Sequence, residues 1–128
     1  MKKLFLIMFF MAFVSVNAYS QSDDSDNEVY VMVEEAAQFP GGQNEMLKFI
    51  QDNRQYPEEA KANNVHGKVI VNFIVEKDGS LSNITVKRGL GSGCDEEAVR
   101  IINSMPKWKP GKQKGKEVRT RIMIPVTF

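Results

Sequence analysis

The sequence predicts an α+β domain, a two-layer sandwich in which a three-stranded antiparallel sheet carries its helices on one face. Three observations predict this fold. Two alternating apolar segments flank an Asp78-Gly79 turn, two short helical segments precede them, and a third helical segment leads to a final alternating segment. An extra N-terminal strand is compatible with the pattern.

The first 20 residues are typical of a secretory signal peptide. Lys2 and Lys3 form a basic start, residues 4–16 are apolar, and the small residues Ala18 and Ser20 follow. As a helix the apolar run would span roughly 20 Å, which is short of the roughly 30 Å hydrocarbon core of a bilayer. We therefore expect export to the periplasm with cleavage near Ala18 or Ser20, and an uncleaved inner-membrane anchor is the less favoured alternative.

The charge of the exported chain argues against nucleic-acid binding. Without Lys2 and Lys3, 15 basic residues face 16 acidic ones. The charge is nevertheless segregated, because residues 21–35 hold six acidic and no basic side chains, whereas residues 107–121 hold seven basic side chains and one acidic. Either both segments are simply solvated, or they meet each other or an oppositely charged partner.

The N-terminal half predicts one strand and two helices. Residues 29–33 alternate as a short strand, and breakers around Pro40 predict a turn. Apolar residues at helical spacing predict a helix over residues 44–52. A second helical segment covers residues 56–63, with Pro57 suited to the first helical position.

The clearest local pattern is a hairpin over residues 68–88. Asp78-Gly79 predicts a two-residue type I′ turn. Ile70 and Ile74 make the second face of the first strand apolar as well, which favours a central or partly covered strand. Its first face is formed by alternating apolar residues: Val69, Val71, Phe73 and Val75.

The C-terminal part predicts a helix and a last strand. Residues 95–105 show helical spacing behind three acidic residues, and Pro106 ends the helix. Trp108 is the only aromatic residue of the basic segment, and we expect it to anchor that segment in the core. Residues 118–128 alternate as the last strand.

The residues do not form a catalytic set. His66 is the only histidine, expected at the surface, and Cys94 is the only cysteine. We expect Cys94 to be a small buried residue, although its place at a helix start leaves a reactive or dimer-forming thiol open. The glycine-rich residues 89–93 lack the Lys-Ser/Thr pair of a phosphate loop. The sequence therefore predicts a protein that is not an enzyme, with no cofactor, metal or small-molecule substrate.

Several motifs together resemble the TonB C-terminal domain family in order and spacing. The lead-in "FPGG" (39–42) resembles small exported members of that family. The motifs that carry the main resemblance are "YP" (56–57), "GKVIVNFIVEKDGSL" (67–81), "DEEAVRIINSMPKWKPG" (95–111) and "IPVTF" (124–128). The chain then divides into a signal peptide (1–20), an acidic arm with a short strand (21–38) and a TonB C-terminal-like domain (39–128).

The resemblance implies a periplasmic protein-binding module of TonB-dependent transport. Such domains bind the TonB-box peptide of an outer-membrane receptor by adding it as a strand beside their last strand. Full transducers also pass on energy from an inner-membrane motor, which would be a further partner. Because the sequence shows no spanning anchor and no long Pro/Lys linker, recognition is the part of this function that it predicts.

Pro125 independently predicts which edge is free. A proline within a strand belongs at a sheet edge, since it has no N–H to donate. If Pro125 faces the open edge, the backbone groups of Arg119, Arg121 and Met123 face it too, and a peptide could pair there by β-augmentation until Pro125 stops the pairing. The predicted peptide-binding edge consists of Val118, Arg119, Thr120, Arg121, Ile122 and Met123, and Lys112, Lys114 and Lys116 are predicted to steer an acidic peptide towards it.

An alternative interpretation uses the same edge differently. The acidic arm and residues 29–33 could cover the last strand, within one chain or by exchange in a homodimer. The protein would then be an envelope scaffold or dimerisation module without energy transduction.

Overall fold

The computed structural model describes residues 27–128. The predicted signal peptide and residues 21–26 of the acidic arm lie outside the described residues. None of the helices between Asn27 and Phe128 is long and apolar enough to cross a membrane. In chain order the elements are β1 (Val29–Tyr30), α1 (Gln43–Asn53), α2 (Glu58–Ala62), β2 (Lys68–Val75), β3 (Leu81–Arg88), α3 (Cys94–Asn103), β4 (Gly111–Gln113) and β5 (Lys116–Thr127).

The sheet confirms the predicted α+β fold and extends it. Strands β3, β2 and β5 form the expected antiparallel core, with β2 in the centre. The order β1-β5-β2-β3 adds β1 as a parallel strand, and β4 pairs with β5 in an antiparallel hairpin. The apolar second face of β2 is thereby explained, because β2 has strands on both sides.

All three helices contribute buried side chains to the hydrophobic core. In α3 the side chains of Ala98, Ile101 and Ile102 are fully buried, and the helix packs on β2 and β3. Asp95, in the first turn of α3, accepts hydrogen bonds from the N–H groups of Leu90 (2.8 Å) and Gly91 (3.2 Å). These bonds fix the glycine-rich loop to the positive end of the helix.

Trp108 anchors the segment between α3 and β4 in the core, as predicted. It is 5% exposed. Its ring lies edge-on to Phe73 and Phe39, with centroid distances of 5.4 and 5.9 Å. The backbone N–H of Trp108 donates to the carbonyl oxygen of Gly79 at 2.9 Å, so the same residue joins the β2–β3 turn to the helix layer.

The predicted type I′ turn at Asp78-Gly79 is wrong. Gly79 has φ +89°, whereas Asp78 is not among the positive-φ residues. Glu76 donates its N–H to Ser80 O (2.8 Å), and Gly79 donates to Glu76 O (2.9 Å). The loop is a three-residue turn that ends in a left-handed glycine. Asp78 Oδ1 accepts from the Ser80 N–H (3.0 Å), which stabilises the ordinary right-handed conformation of Asp78.

A type I′ turn does occur, within the basic segment 107–121. Lys114 (φ 53°) and Gly115 (φ 76°) both have positive φ and connect β4 to β5. The short strand Gly111–Gln113 was missed because it contains no apolar residue whose alternation could indicate it.

Several predicted boundaries also shift, and α3 ends at Asn103 rather than at residue 105. β1 ends at Tyr30 rather than at residue 33, because the chain bends at Val31 and Met32. α2 begins at Glu58, and Pro57 stands before it in an extended conformation (φ −63°, ψ 139°) rather than at the first helical position. β5 begins at Lys116, two residues earlier than predicted.

Candidate functional site

The backbone of β5 points alternately to its two sides, and the structure fixes which residues point outward. Gly67 and Phe128 exchange both backbone hydrogen bonds, at 3.1 and 2.8 Å. From this pair the antiparallel register alternates along β2 and β5. The backbone groups that face β2 belong to Thr120, Ile122, Ile124 and Val126, and those that face away belong to Arg119, Arg121, Met123, Pro125 and Thr127.

This is the orientation that Pro125 predicted. Its missing N–H falls on the side of β5 opposite to β2, which we call the outer edge. β4 does not occupy that edge. Lys112 exchanges backbone bonds with Glu35, so the neighbouring residues of β4 face Lys116 and Val118 on the β2 side of β5.

β1 covers only the beginning of the outer edge. Val29 lies opposite Arg119 and Tyr30 lies opposite Thr120, with both strands running in the same direction. At the far end, the Arg54 guanidinium donates to Thr127 O at 2.6 Å. Within residues 27–128, no strand pairs with the outer edge from Arg121 to Pro125.

Arg119 connects three segments at the covered end of the edge. Its Nε and Nη2 atoms donate to the two carboxylate oxygens of Glu76 at 2.7 and 3.2 Å, and Nη1 donates to Asn27 O at 2.9 Å. The hydrogen bonds from Arg119, and after them the one from Ser82, hold the pKa of Glu76 below its usual value. The contact with Asn27 holds the chain just before β1 against β5.

The acidic arm and the basic segment meet through backbone and side-chain hydrogen bonds. Glu34 Oε1 accepts a hydrogen bond from the Lys114 N–H at 2.6 Å, and the Glu34 N–H donates to Gln113 Oε1 at 3.0 Å. Glu35 and Lys112 exchange backbone bonds at 3.0 and 2.8 Å. Of the three lysines predicted to steer a peptide, Lys112 is half-buried in β4, whereas Lys114 and Lys116 are exposed at the hairpin tip.

A cavity of about 280 Å³ lies beside the outer edge, on the helix face of the sheet. Trp108 contributes one wall, and its buried Nε1–H has no hydrogen-bond partner among the described residues. No local sequence pattern indicates this cavity, because its walls come from segments that are distant in sequence. Its other lining residues are Ala37, Gln38, Phe39, Gln43, Met46, Ile122 and Ile124.

His66 and Cys94 make structural contacts. The two ring nitrogens of His66, which is exposed, lie 3.0 Å from the Tyr56 hydroxyl and 3.0 Å from Asn64 Oδ1. Cys94 is fully buried, and burial, with the nearby Asp95 carboxylate, raises the pKa of its thiol. This burial confirms the prediction of a small buried cysteine. The raised pKa argues against the alternative of a reactive thiol, because such a thiol forms little thiolate. Residues 27–128 contain no cluster of three metal-ligating side chains.

The fold and the outer edge define the class: a small α+β domain whose last strand offers a partly open sheet edge. The chain belongs to the family described as the Gram-negative bacterial TonB protein C-terminal domain, whose model matches residues 52–128. The resemblance seen in the sequence is thereby confirmed. Domains of this family are interaction domains, and in TonB proteins they interact with outer-membrane receptors.

Solved structures show the same fold. The chain is similar to two solution NMR structures of the Helicobacter pylori TonB C-terminal domain that differ in length. For the first, the identity is 23% and the TM-score is 0.51, with 66% of this chain and 89% of the other covered. For the second, the identity is 26% and the TM-score is 0.50, with 70% and 84% covered. A search of curated proteins finds no match.

Proposed function

We propose that this protein is a periplasmic TonB-like interaction domain that binds TonB-box-like peptides of outer-membrane receptors in TonB-dependent transport. The peptide adds as a strand to the outer edge of β5. Family membership supports the kind of partner. The observation that carries the proposal is the edge itself, where the outward backbone groups of Met123 have no strand partner within the described chain.

The geometry divides the predicted binding residues into two groups. Arg121 and Met123 offer outward backbone groups to the peptide, and pairing stops at Pro125. Arg119 also points outward, but β1 already lies against it. The other three predicted residues, Val118, Thr120 and Ile122, bond towards β4 and β2, so they shape the edge without pairing with the peptide.

Positive charge around the edge favours an acidic peptide. Arg121 is exposed on β5, and Lys114 and Lys116 are exposed at the tip of the β4–β5 hairpin. Exposed charges of this kind mainly accelerate encounter and suppress wrong partners, while backbone pairing supplies the affinity.

Replacing one residue tests the pairing. Met123→Pro removes an outward N–H and leaves the inward bonds of Ile122 and Ile124 in place, whereas Met123→Ala removes only the side chain. We expect Met123→Pro to weaken binding of a receptor peptide about fivefold or more, because at least one backbone hydrogen bond is lost. Met123→Ala should bind nearly as the parent does. Calorimetry measures both affinities.

Amide NMR shifts of the unmodified chain provide a second test. A receptor peptide should shift the amides of residues 119–124 most strongly, and N-methylation of alternate peptide amides should abolish these shifts. If the largest shifts lie on β3, at the other edge of the sheet, the outer edge of β5 is not the site.

A second candidate function is a module whose edge is occupied by its own N-terminal arm. The pairing of Val29 and Tyr30 with β5 supports it. In this case removal of residues 21–30 should raise peptide affinity, since the competing strand is gone. Removal of residues 21–26 alone is the matched control, because it leaves β1 intact. Equal affinities for the parent and both shortened chains would contradict it, and sedimentation distinguishes cover within one chain from exchange in a homodimer.

A further inference from the structure

We propose that the face of the sheet opposite to the helices is a docking surface for an acidic amphipathic helix of a partner protein. We call this surface the open face. The inference goes beyond strand addition, because it concerns side chains on one face of β3, β2 and β5 and not the backbone at the outer edge. Its failure would leave the proposed function unchanged.

The registers of the sheet place the side chains of the open face in rows. Successive residues of a strand point to opposite faces, and residues opposite each other on neighbouring strands share a face. Since Val69, Val71 and Val75 belong to the core, the open face carries the residues of β2 that alternate with them. The rows, read from β3 through β2 to β5, are Arg88, Ile70 and Pro125, then Thr85, Asn72 and Met123, then Ser82, Ile74 and Arg121.

The centre of the open face is apolar. Ile70, Met123 and Pro125 lie in two neighbouring rows, and Met123 is 50% exposed. The buried side chains of all three helices lie in the core, on the opposite face. A strand with apolar residues on both faces is typical of a sheet that has a layer on each side. The neighbouring strands cover the edges of β2, whereas only a second layer would cover this face.

A cavity of about 270 Å³ on the open face has room for an acidic side chain. Ile74, which lines it, is 3% exposed but does not belong to the core cluster. Asn83, Thr85 and Arg121 bring amide, hydroxyl and guanidinium groups to the same cavity. A cavity of about 150 Å³ accepts a benzene ring, so this one can take a glutamate side chain. The carboxylate would meet the Arg121 guanidinium, and the methylene groups would contact Ile74.

The charges of the open face favour an acidic partner. Lys68, Arg88 and Arg121 are exposed, and within residues 27–128 none of them forms an ion pair. Glu76, the next carboxylate along β2, is already bonded to Arg119. A second copy of the chain would bring the same three cations and be repelled, whereas carboxylates of a partner would neutralise them.

A helix fits the dimensions of the open face. From Lys68 to Ile74 the strand extends over roughly 20 Å, which is the length of about 13 helical residues. A helix packed on a sheet face is a common way to bury such a surface. The position of Ile74 favours a helix over a lipid surface, because protruding side chains of a helix can enter the cavity that Ile74 lines.

A model helix provides the test. An 18-residue peptide carries leucines at helical spacing, flanked by glutamates, and its control carries lysines in place of the glutamates. With the full chain, we expect the acidic peptide to shift the side-chain methyl resonances of Ile70 and Ile74. It should bind at least about tenfold more tightly than the basic peptide, because three cations face it. Met123→Ala should weaken its binding about fivefold or more, since the helix buries that side chain.

Substitution of the cations tests the choice of an acidic partner. Lys68→Gln combined with Arg88→Gln should reduce the affinity for the acidic peptide about three- to tenfold, because two ion pairs are lost. Lys48→Gln combined with Lys109→Gln is the matched control, since both lysines are exposed and neither belongs to the sheet. This control should bind the peptide as the parent does.

Four outcomes would overturn the proposal. Unmoved methyl resonances of Ile70 and Ile74, or equal affinities for the two peptides, would contradict it and leave strand addition standing. Displacement of the acidic peptide by a receptor peptide would place it at the outer edge of β5. Self-association that Met123→Ala abolishes, measured by sedimentation, would assign the open face to a second copy. Tighter binding to vesicles of phosphatidylcholine and phosphatidylglycerol than to the peptide would assign it to a membrane.

Discussion

At the residue scale, Arg119 shows how one side chain links the sheet to the N-terminal arm. It bonds to both carboxylate oxygens of Glu76 and to Asn27 O. Both charged side chains are about one quarter exposed. Such a bidentate pair has better geometry than an ordinary surface pair, and the low pKa of Glu76 makes its contribution depend on pH.

Glu76→Gln should lower the free energy of unfolding at neutral pH. The folded pKa of Glu76 is depressed, so its stabilisation is present above the unfolded value of about 4.3 and is lost as the pH falls through the folded value. Chemical denaturation should therefore show a gap between parent and variant at pH 7 that narrows at pH 3. Glu45→Gln, at an exposed position, is the control, and a gap that persists unchanged at pH 3 would contradict the argument.

At the element scale, the two hairpins differ in what their glycines do. Gly79 packs against the chain that carries Trp108, and a Cβ built there would lie 2.2 Å from Trp108 O. At Gly115, in the β4–β5 turn, a Cβ would meet nothing within 4 Å. Both residues have positive φ, so alanine strains both backbones, but only Gly79 also lacks space.

Alanine substitution should separate these two effects. We expect Gly115→Ala to lower the free energy of unfolding by about 1 kcal/mol, from the left-handed conformation alone. Gly79→Ala should cost about 2–4 kcal/mol, because a clash with backbone is added to that strain. Urea denaturation measures both. Equal losses would show that Trp108 moves aside without cost.

The elements also show what the sequence could and could not predict. Alternation along residues 68–88 and helical spacing before Pro106 predicted β2, β3 and α3, because each pattern is local and its apolar face is buried. Asp78-Gly79 suits two kinds of turn, and the turn that forms also accepts, at Gly79 O, a hydrogen bond from the backbone N–H of Trp108, which is distant in sequence. β4 left no apolar pattern to detect.

For the candidate site, the sequence predicted the orientation of the β5 backbone. Pro125 indicated the outward residues of β5 because a missing N–H is a local property with a sheet-wide consequence. The cavity lined by Ile122 and Ile124 was not predictable, since Ala37, Met46 and Trp108 meet only in the folded chain. The pairing of β1 with Arg119 likewise depends on a contact between residues that lie far apart in sequence.

At the scale of the whole molecule, the net charge is small, but the basic side chains are concentrated near the outer edge of β5. The net formal charge of the full sequence is only +1, yet the segment 107–121 is strongly basic. Lys114 and Lys116 project from the hairpin next to β5. Fields of this kind act within a Debye length, about 10 Å at 0.1 M salt, and affect association more than dissociation.

Replacing Lys114 and Lys116 together by glutamine should slow association of an acidic peptide about two- to fivefold and leave dissociation nearly unchanged. The same loss should occur in the parent protein at 0.5 M salt. Lys48→Gln with Lys87→Gln, also exposed, serves as the matched control. Stopped-flow fluorescence of Trp108 can follow both rates, and an effect confined to dissociation would argue against steering.

The position of β1 has one more consequence, which concerns the length of a ligand. Among residues 27–128, pairing partners leave the stretch from Arg121 to Pro125 open, because β1 lies at one end and Arg54 bonds to the backbone at the other. A short peptide fits between these two limits. A longer peptide must displace β1 and break the hydrogen bond between Arg119 and Asn27 O. Each residue added beyond the open stretch should therefore increase the affinity by a smaller amount. In the proposed binding mode, the N-terminal arm would thus limit the length of the peptide segment that the outer edge binds.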